Sequence, residues 1–203
     1  MKKILLATTN EAKVERFKRL LSGAQIVAEL YTPDDLDIQT LHIEENAKTP
    51  DENAEIKARA YFGKTDLPIL SNDTGFFVEG EGFTEAPKRE ALHGVDERSL
   101  TREEIAHRII AFWKNIATKH GGKVNAAWIE YFVLLNPDGS VQKSHSRREV
   151  ILTDQEFGKP HIQMPVRALY ISKSTNKPAL DHTKEEQLLE MKPVIDALRE
   201  VLT

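Results

Sequence analysis

The stretch KILLATTNEAKVERFKRLL, residues 3–21, decides the fold class because a short apolar run passes directly into an amphipathic segment. Residues 3–8 are mostly apolar and end in polar turn formers, which predicts a short buried strand. Further along, apolar residues recur at helical spacing: Val14, Phe17, Leu20 and Leu21. A strand, a tight turn and a helix in this order form the first unit of an α/β fold.

Capping boxes mark the start of three more helices. In this motif a Thr side chain caps the helix and a Glu three residues later reaches back to the cap. The pattern occurs at Thr49, Thr101 and Thr183, and the first of these helices is predicted to run to about residue 62. Pro193 falls inside the last helix, where we expect an interruption or a kink.

The middle of the chain predicts a strand that is broken by a turn. Residues 67–71 are apolar, and the sequence Asn-Asp-Thr-Gly at residues 72–75 is typical of a turn. Extended structure is expected to resume at residues 76–78, and residues 80–93 have no clear period and predict a loop.

The second half predicts a hairpin. Residues 127–135 alternate apolar side chains with their neighbours, and Asn-Pro-Asp-Gly at residues 136–139 turns the chain into a returning strand through residues 150–152. Residues 166–172 are a further strand candidate. We therefore predict one α/β domain over residues 1–203, with a mixed and partly antiparallel sheet.

Composition excludes several function classes. The formal charge of −4 gives no general attraction to nucleic acid, so we predict no stable nucleic-acid partner. The absence of cysteine excludes disulfides and thiolate chemistry. No apolar run approaches the roughly 20 residues of a membrane helix, and no secretory signal is recognisable at the N-terminus. We expect a soluble, cytoplasmic protein with no membrane partner.

The turn after the first strand is a candidate anion site. Helix N-termini offer backbone N–H groups and a partial positive charge, and Thr8, Thr9 and Asn10 add polar side chains. Lys13 opposes the helix dipole unless an anion lies nearby, so a phosphate would explain it. The alternative is that Asn10 only caps the helix.

Acidic residues supply a candidate metal site. Mg²⁺ is held by one or two carboxylates, with water and substrate phosphates as its other ligands, and Glu44, Glu45 and Asp73 are the candidates. A carboxylate can also activate the attacking water. The alternatives are that Asp73 only forms a turn and that the glutamates are solvated. Lys57, on the helix after Thr49, is either a phosphate ligand or a solvated charge.

Three segments together resemble the inosine/xanthosine triphosphate pyrophosphatases, which hydrolyse non-canonical purine nucleoside triphosphates to monophosphate and pyrophosphate. ILLATTNEAK at residues 4–13 is similar to the family's strand ending in Ala-Thr-x-Asn-x-x-Lys. IEEN at residues 43–46 with TPDENAEIKA at residues 49–58 resembles a family Glu followed by Thr-Phe-x-Glu-Asn-Ala-x-x-Lys-Ala. LSNDTGFFV at residues 70–78 is similar to Asp-Asp-Ser-Gly-Leu-x-Val. Order and spacing agree over about the first 90 residues.

The resemblance implies a role for each matched residue. Thr8, Thr9, Asn10 and Lys13 would hold the phosphates, with Lys57 beside the triphosphate and Thr74 touching it from the family's Ser position. Glu45 and Asp73 would bind Mg²⁺, and Asp73 would also be the catalytic general base. The implied fold is an elongated, ITPase-like α/β structure with a long mixed sheet, two lobes and a central cleft. The family is usually homodimeric, and its enzymes clean the nucleotide pool.

Departures from the family pattern leave the base unassigned. Asn72 replaces the first acid of the family's Asp-Asp pair, and the family's basic loop residue is matched only by Lys88 or Arg89. The segment at residues 165–170 places Arg167 where the family has Asp, and the closing Ser-His-Arg has no counterpart. We hypothesise that Arg167 reaches into the base pocket. A pyrophosphatase of altered base specificity and a nucleotide-binding protein without catalysis stay open as alternatives.

Overall fold

The computed structural model describes residues 2–39, 41, 43, 47, 49–84, 87–160, 162 and 164–203. Within these residues the chain forms eight strands and five α-helices, together with short 3-10 helices. In chain order they are β1 Lys2–Leu6, α1 Glu11–Gly23, β2 Ala28–Tyr31, α2 Pro50–Ala60, β3 Ile69–Val78, β4 Gly82–Thr84, α3 Pro87–Ala91, α4 Arg102–Lys119, β5 Lys123–Leu135, β6 Val141–Thr153, β7 Tyr170–Ser172, β8 Lys177–Pro178 and α5 Lys184–Leu202.

The strands form one mixed sheet in the order β2-β1-β3-β5-β6-β7-β8, with β4 paired to β3 outside this order. β1 is parallel to β2 and β3, whereas β4 is antiparallel to β3, and β7 is antiparallel to β6 and β8. The predicted α/β class and mixed sheet are therefore confirmed. None of the helices in the described part of the chain has the length and apolar character to cross a membrane.

The chain divides into two compact units. Unit 1 comprises Met1–Thr74, Glu130–Ser146 and Lys192–Thr203. Its core joins Leu5 of β1 and Ile69 of β3, which are paired in the sheet, to Val133 of β5 and to alanines of α2. The apolar stripe of α1 buries Phe17, whose ring meets Phe132 of β5 edge-on at 6.1 Å.

Unit 2 comprises Gly75–Ile129 and Arg147–Met191. Its core contains Phe76, Trp113 and Trp128, with ring centroids 5.1 Å apart for Phe76 and Trp113 and 4.4 Å apart for Phe76 and Trp128. The capping box predicted at Thr101 is present, because the Thr101 hydroxyl accepts from the Glu104 amide and the Glu104 carboxylate accepts from the Thr101 amide.

Unit 2 also contains a buried polar cluster. Glu190 of α5 accepts hydrogen bonds at Oε1 from Arg148 of β6 and from the Tyr170 hydroxyl of β7, both at 3.0 Å. Its other oxygen, Oε2, lies 3.1 Å from Nδ1 of His182, which is close enough for an ion pair but not aligned as a hydrogen bond. Burial and the charge of Glu190 raise the pKa of Tyr170 to about 12. We call these four residues the Glu190 cluster.

The predicted break at residues 72–75 is wrong, because β3 runs without interruption from Ile69 to Val78. The Asn72 side-chain amide donates at 3.3 Å to the carbonyl of the adjacent Asp73 and also, at 3.3 Å, to the carbonyl of Tyr131 on the distant strand β5. Pairing with the neighbouring strands β1 and β5 thus overrides the turn propensity of the sequence.

Two helix predictions also need correction. Thr49 precedes α2 as predicted, but its side chain makes no capping bond to the described backbone. Instead it hydrogen-bonds to Asp51, which lowers the pKa of that carboxyl. The interruption at Pro193 is absent, since α5 continues through it. Proline has no N–H, so the carbonyl of Leu189, four residues earlier, lacks its usual helical hydrogen bond. Both residues are exposed, so water can donate to that carbonyl instead.

The remaining differences are local. The strand expected at residues 166–172 is a 3-10 helix over Pro165–Leu169 followed by the short β7, because Pro165 favours a helical start. The loop expected at residues 80–93 contains β4 and α3. β5 is buried on both faces rather than alternating, since Phe132 packs on α1 and Val133 packs on α2. The hairpin turn is confirmed, with Gly139 at a φ of 84°.

Candidate active site

A cleft of about 180 Å³ lies in unit 1 at the carboxyl end of β1. β1 has β2 on one side and β3 on the other, so the crossover helices α1 and α2 flank a crevice at this point. Parallel sheets bind their ligands at such positions. The cleft is lined by polar and cationic residues from three segments and by apolar residues behind them: Thr8, Thr9, Lys13, Lys57, Ser71 and Asn72, with Leu6, Ala7, Phe17, Leu41, Ile43 and Tyr61.

The turn between β1 and α1 is held by its own side chains. Thr8 Oγ1 accepts from the Asn10 amide at 3.2 Å, and Asn10 Oδ1 accepts from the amides of Ala12 and Lys13 at 3.0 and 3.3 Å. Asn10 is therefore the N-cap of α1, as the simpler alternative predicted. Because Asn10 already occupies these two amides, a phosphate in the cleft would be met by the side chains of Thr8, Thr9 and Lys13.

Lys57 and Asp73 form a buried ion pair at the cleft. The Lys57 ammonium donates to Asp73 Oδ1 at 2.8 Å, and the two residues are 7% and 8% exposed. Lys57 lines the cleft, so the interpretation as a solvated surface charge is wrong. Asp73 lies within a strand, so the interpretation as a turn former is wrong as well. A hydrogen bond from Ser71 Oγ to the Ala54 carbonyl ties β3 to α2 beside this pair.

The other predicted residues of this strand have different positions. Asn72 lines the cleft, and its amide donates to two backbone carbonyls, which the carboxylate expected in the family pattern cannot do. Thr74 is half-buried and, by strand alternation, points away from the face that carries Asp73. Among the described residues it is not part of the cleft lining, and its contact with phosphate stays a prediction.

The metal prediction is only partly covered by the structure. Glu44 and Glu45 lie outside the described residues, and the described part of the chain contains no group of three or more acidic or His side chains suited to a metal ion. Mg²⁺ does not require such a group, since one or two carboxylates suffice when phosphates supply further oxygens. Asp73 fits this chemistry, because the bond to Lys57 engages Oδ1 and leaves Oδ2 as the candidate ligand atom.

The residues predicted for base recognition are all in unit 2. Lys88 and Arg89 belong to α3, and Lys88 is ion-paired with Glu97 on the surface. Arg167 lies in the 3-10 helix Pro165–Leu169, where its Nη2 donates to the Ala179 carbonyl at 2.8 Å. This bond shows that Arg167 fastens the chain at Ala179. Base recognition by these three residues stays a prediction.

A partly buried ion pair between α1 and β5 was not predicted. Nη2 of Arg16, on α1, contacts both carboxylate oxygens of Glu130 at 2.7 and 2.6 Å, and Glu130 is fully buried on β5. A buried carboxylate requires a partner, so an acidic residue inside the apolar run at residues 126–135 was the available signal. The pair fastens α1, the helix that follows the turn predicted to bind phosphate, to β5 at the centre of the sheet.

Solved structures with the same fold identify the architecture. A HAM1 protein from Coxiella burnetii matches 100% of this chain and 98% of its own with a TM-score of 0.73, at 21% identity. A nucleoside-triphosphatase / dITP/XTP pyrophosphatase from Mycobacterium abscessus matches 97% of this chain and 98% of its own with a TM-score of 0.71, at 18% identity. The chain thus has the mixed α/β fold of the HAM1 proteins.

The sequence comparison concerns the N-terminal part. Residues 4–87 match the model of the Ham1 family, so the family resemblance read from the sequence is confirmed for this segment. The dITP/XTP pyrophosphatase of Aquifex aeolicus is 42% identical over 77 residues, which are 38% of this chain and 35% of that protein. The enzyme of the same name from Symbiobacterium thermophilum is 41% identical over 83 residues, 40% of this chain and 39% of its own. The chain therefore matches less than two fifths of these relatives.

Proposed function

We propose that this protein is a nucleoside triphosphate pyrophosphatase. It hydrolyses nucleoside triphosphates, non-canonical purine ones such as ITP, XTP or dITP, to the monophosphate and pyrophosphate. The observation that carries this proposal is the cleft lined by Thr8, Thr9, Lys13 and Lys57. Lys57 also holds the carboxylate of Asp73, which is not itself part of the described lining. The names of two relatives, which are 42% and 41% identical over 38% and 40% of this chain, support it.

The proposed reaction is an in-line displacement at the α-phosphorus. A water oxygen forms the new bond to phosphorus, its proton passes to the carboxylate of Asp73, and the bond from the α-phosphorus to the bridging oxygen breaks. Pyrophosphate leaves with that oxygen. The ammonium groups of Lys13 and Lys57 offset the negative charge that develops, and the side chains of the Thr8–Asn10 turn and of Thr74 hydrogen-bond the phosphates.

Mg²⁺ is part of the proposal as the cofactor. Asp73 and Glu45 are the residues that would hold it, and it would supply positive charge to stabilise the charge on the phosphates. The family resemblance also supports a homodimer, which sedimentation tests. The composition supports a cytoplasmic protein without a nucleic-acid partner, which cell fractionation and a nucleic-acid binding assay test.

A pyrophosphate-release screen tests the proposed function. The wild-type chain is assayed with Mg²⁺ against canonical nucleotides and against ITP, XTP and dITP, with and without EDTA. We expect release that is fastest with a deaminated purine and abolished by EDTA. Absence of release from every nucleotide would contradict the proposal.

A second candidate function is nucleotide binding without catalysis. Asn72 favours it, because this residue replaces a family acid and uses its amide to hold β3 and β5 together. Calorimetric binding of a triphosphate by a chain that releases no pyrophosphate would support this candidate. Release with an unusual order of bases would instead support a pyrophosphatase of altered base specificity.

A further inference from the structure

One face of the sheet in unit 1 is turned toward α2, and three contacts identify its side chains. Asp73 of β3 pairs with a lysine of α2, Val133 of β5 packs in the core cluster with alanines of α2, and Lys143 of β6 lies 2.8 Å from a glutamate of α2. Side chains alternate along a strand. Tyr131 therefore shares this face with Val133, and His145 shares it with Lys143.

Tyr131 and His145 continue the row that begins at Asp73. The bond from the Asn72 side chain to the Tyr131 carbonyl, at 3.3 Å, brings β3 and β5 together at this level of the sheet. The rings of Tyr131 and His145 are stacked, with centroids 5.8 Å apart and planes inclined by 24°. Neighbouring strands are about 4.8 Å apart, so the two rings lie one and two strand spacings from the strand of Asp73.

This part of the face is accessible, whereas the next residues of β5 on the same face are covered. Val133 and Leu135 are fully buried in the cluster beneath α2, but Tyr131 is only half-buried and His145 is exposed. An ordinary cross-strand pair would account for the stacking. It does not account for an accessible aromatic surface beside the acid that the proposed function places at the α-phosphorus.

We propose that the Tyr131–His145 pair is the stacking platform for the purine base of the nucleotide, an inference that rests on the proposed function. The cleft of about 180 Å³ is smaller than the roughly 300–1,000 Å³ of typical ligand pockets, so it suits the phosphates and leaves the nucleoside outside. Bases stack on aromatic side chains, and a purine offers a larger flat surface than a pyrimidine. The platform therefore selects purines over pyrimidines.

Calorimetric binding to the whole chain in the presence of Mg²⁺ tests the platform. The probes are α,β-methylene GTP and α,β-methylene CTP, which keep a base but have no cleavable α–β oxygen bridge, and inorganic tripolyphosphate, which has no base. Tyr131→Leu is expected to raise the dissociation constant of the GTP analogue about 10-fold, the scale of one lost base–aromatic stack. The dissociation constant of tripolyphosphate should stay unchanged. His145→Leu acts in the same direction, and Tyr131→Phe, which keeps the ring, retains wild-type binding.

Tyr31→Leu is the matched control. Tyr31 is also a half-buried tyrosine of unit 1, but it lies on β2, where Lys3 approaches its ring. This variant should bind all three probes like the wild type. Equal weakening of the purine probe and tripolyphosphate by Tyr131→Leu, or no weakening of either, would overturn the platform. Platform-dependent binding in a chain that releases no pyrophosphate would overturn the hydrolysis and keep the platform.

Discussion

Each unit of the molecule buries a charged cluster, and the two clusters differ in what they face. In unit 1, Lys57 lines a cleft and is bonded to Asp73. Thr8 and Lys13, from the β1–α1 turn and α1, line the same cleft. In the Glu190 cluster of unit 2, Arg148 and Tyr170 donate to the same carboxylate oxygen, and the four residues are almost inaccessible. Burial of charge alone therefore does not identify a reactive site; access to a cleft does.

The energetic reason for the difference is the cost of desolvation. A buried carboxylate must be paired, and removing one partner leaves an uncompensated charge. Glu190 meets this requirement with groups from β6 and β7, so the cluster fastens the first half of α5 to those strands. Asp73 meets it with Lys57, and the same lysine lines the cleft in which the phosphates would bind.

The largest expected effect comes from neutralising the cleft carboxylate. Asp73→Asn keeps the shape of the side chain and an oxygen that can accept from Lys57, but it removes the proposed proton acceptor and the charge that offsets Lys57. Turnover is therefore compared per folded molecule. Turnover should fall by roughly 10²-fold or more, the scale of losing a positioned base. Steady-state pyrophosphate release measures the effect, with the exposed Asp66→Asn of unit 1 as control. Near-normal turnover would remove Asp73 from its proposed role.

The corresponding change in unit 2 should affect stability and spare catalysis. Arg148→Met leaves the Glu190 carboxylate buried with one cationic partner fewer, which should lower the free energy of unfolding by about 3 kcal/mol. Urea unfolding measures the loss, and turnover per folded molecule should stay unchanged. Asp196→Asn, which breaks an exposed pair with Lys192, is the control and should cost less than about 1 kcal/mol. Loss of turnover in folded Arg148→Met would contradict a purely structural role for the Glu190 cluster.

Alkaline titration tests the contribution of Tyr170 to the stability of the Glu190 cluster. Tyr170 has a pKa raised to about 12 in the folded chain, above its ordinary value of 10.0. The unfolded chain then loses this proton first, so the stabilising contribution is complete below pH 10 and is lost as the pH rises from 10 to 12. The expected loss is about 3 kcal/mol, at 1.36 kcal/mol for each pKa unit. Difference spectra of phenolate formation, compared between wild type and Tyr170→Phe, should show one late-titrating tyrosine that is absent from the variant.

The smallest expected effects compare two helix caps. Asn10 caps α1 at the cleft, and Thr101 caps α4 in unit 2. Replacement of either by Ala should cost about 1 kcal/mol of stability. Only Asn10→Ala should also raise the dissociation constant of tripolyphosphate, because the turn of unit 1 presents Thr8 and Lys13 to the cleft. Equal phosphate affinity in both variants would reduce Asn10 to a cap with no part in binding.

Features coded by neighbouring residues were predictable, whereas features that depend on distant contacts were not. The β1–α1 unit, the boxes at Thr101 and Thr183 and the hairpin turn depend on residues a few positions apart, and the structure contains all of them. The uninterrupted β3 depends on a bond from Asn72 to a carbonyl 59 positions away. A local turn propensity could not anticipate that partner.

The candidate site follows the same division. The segments with Thr8, Lys13, Lys57 and Asp73 were identified as motifs, and the structure brings Lys57 to Asp73. The partner of Glu130 was not predicted, because Arg16 is 114 positions away. The alternation of apolar residues assigned each side chain of β5 to one of the two faces of the sheet. It could not show that α1 would cover one face and α2 the other.

The continuity of β3 has a consequence for how this segment can change in length. In a loop, one inserted residue shifts the chain slightly and is often tolerated. In a strand with period two, one residue inserted between Leu70 and Asp73 would rotate every later side chain to the opposite face. Asp73 would then leave Lys57, so residues 69–78 should tolerate substitution far better than insertion or deletion.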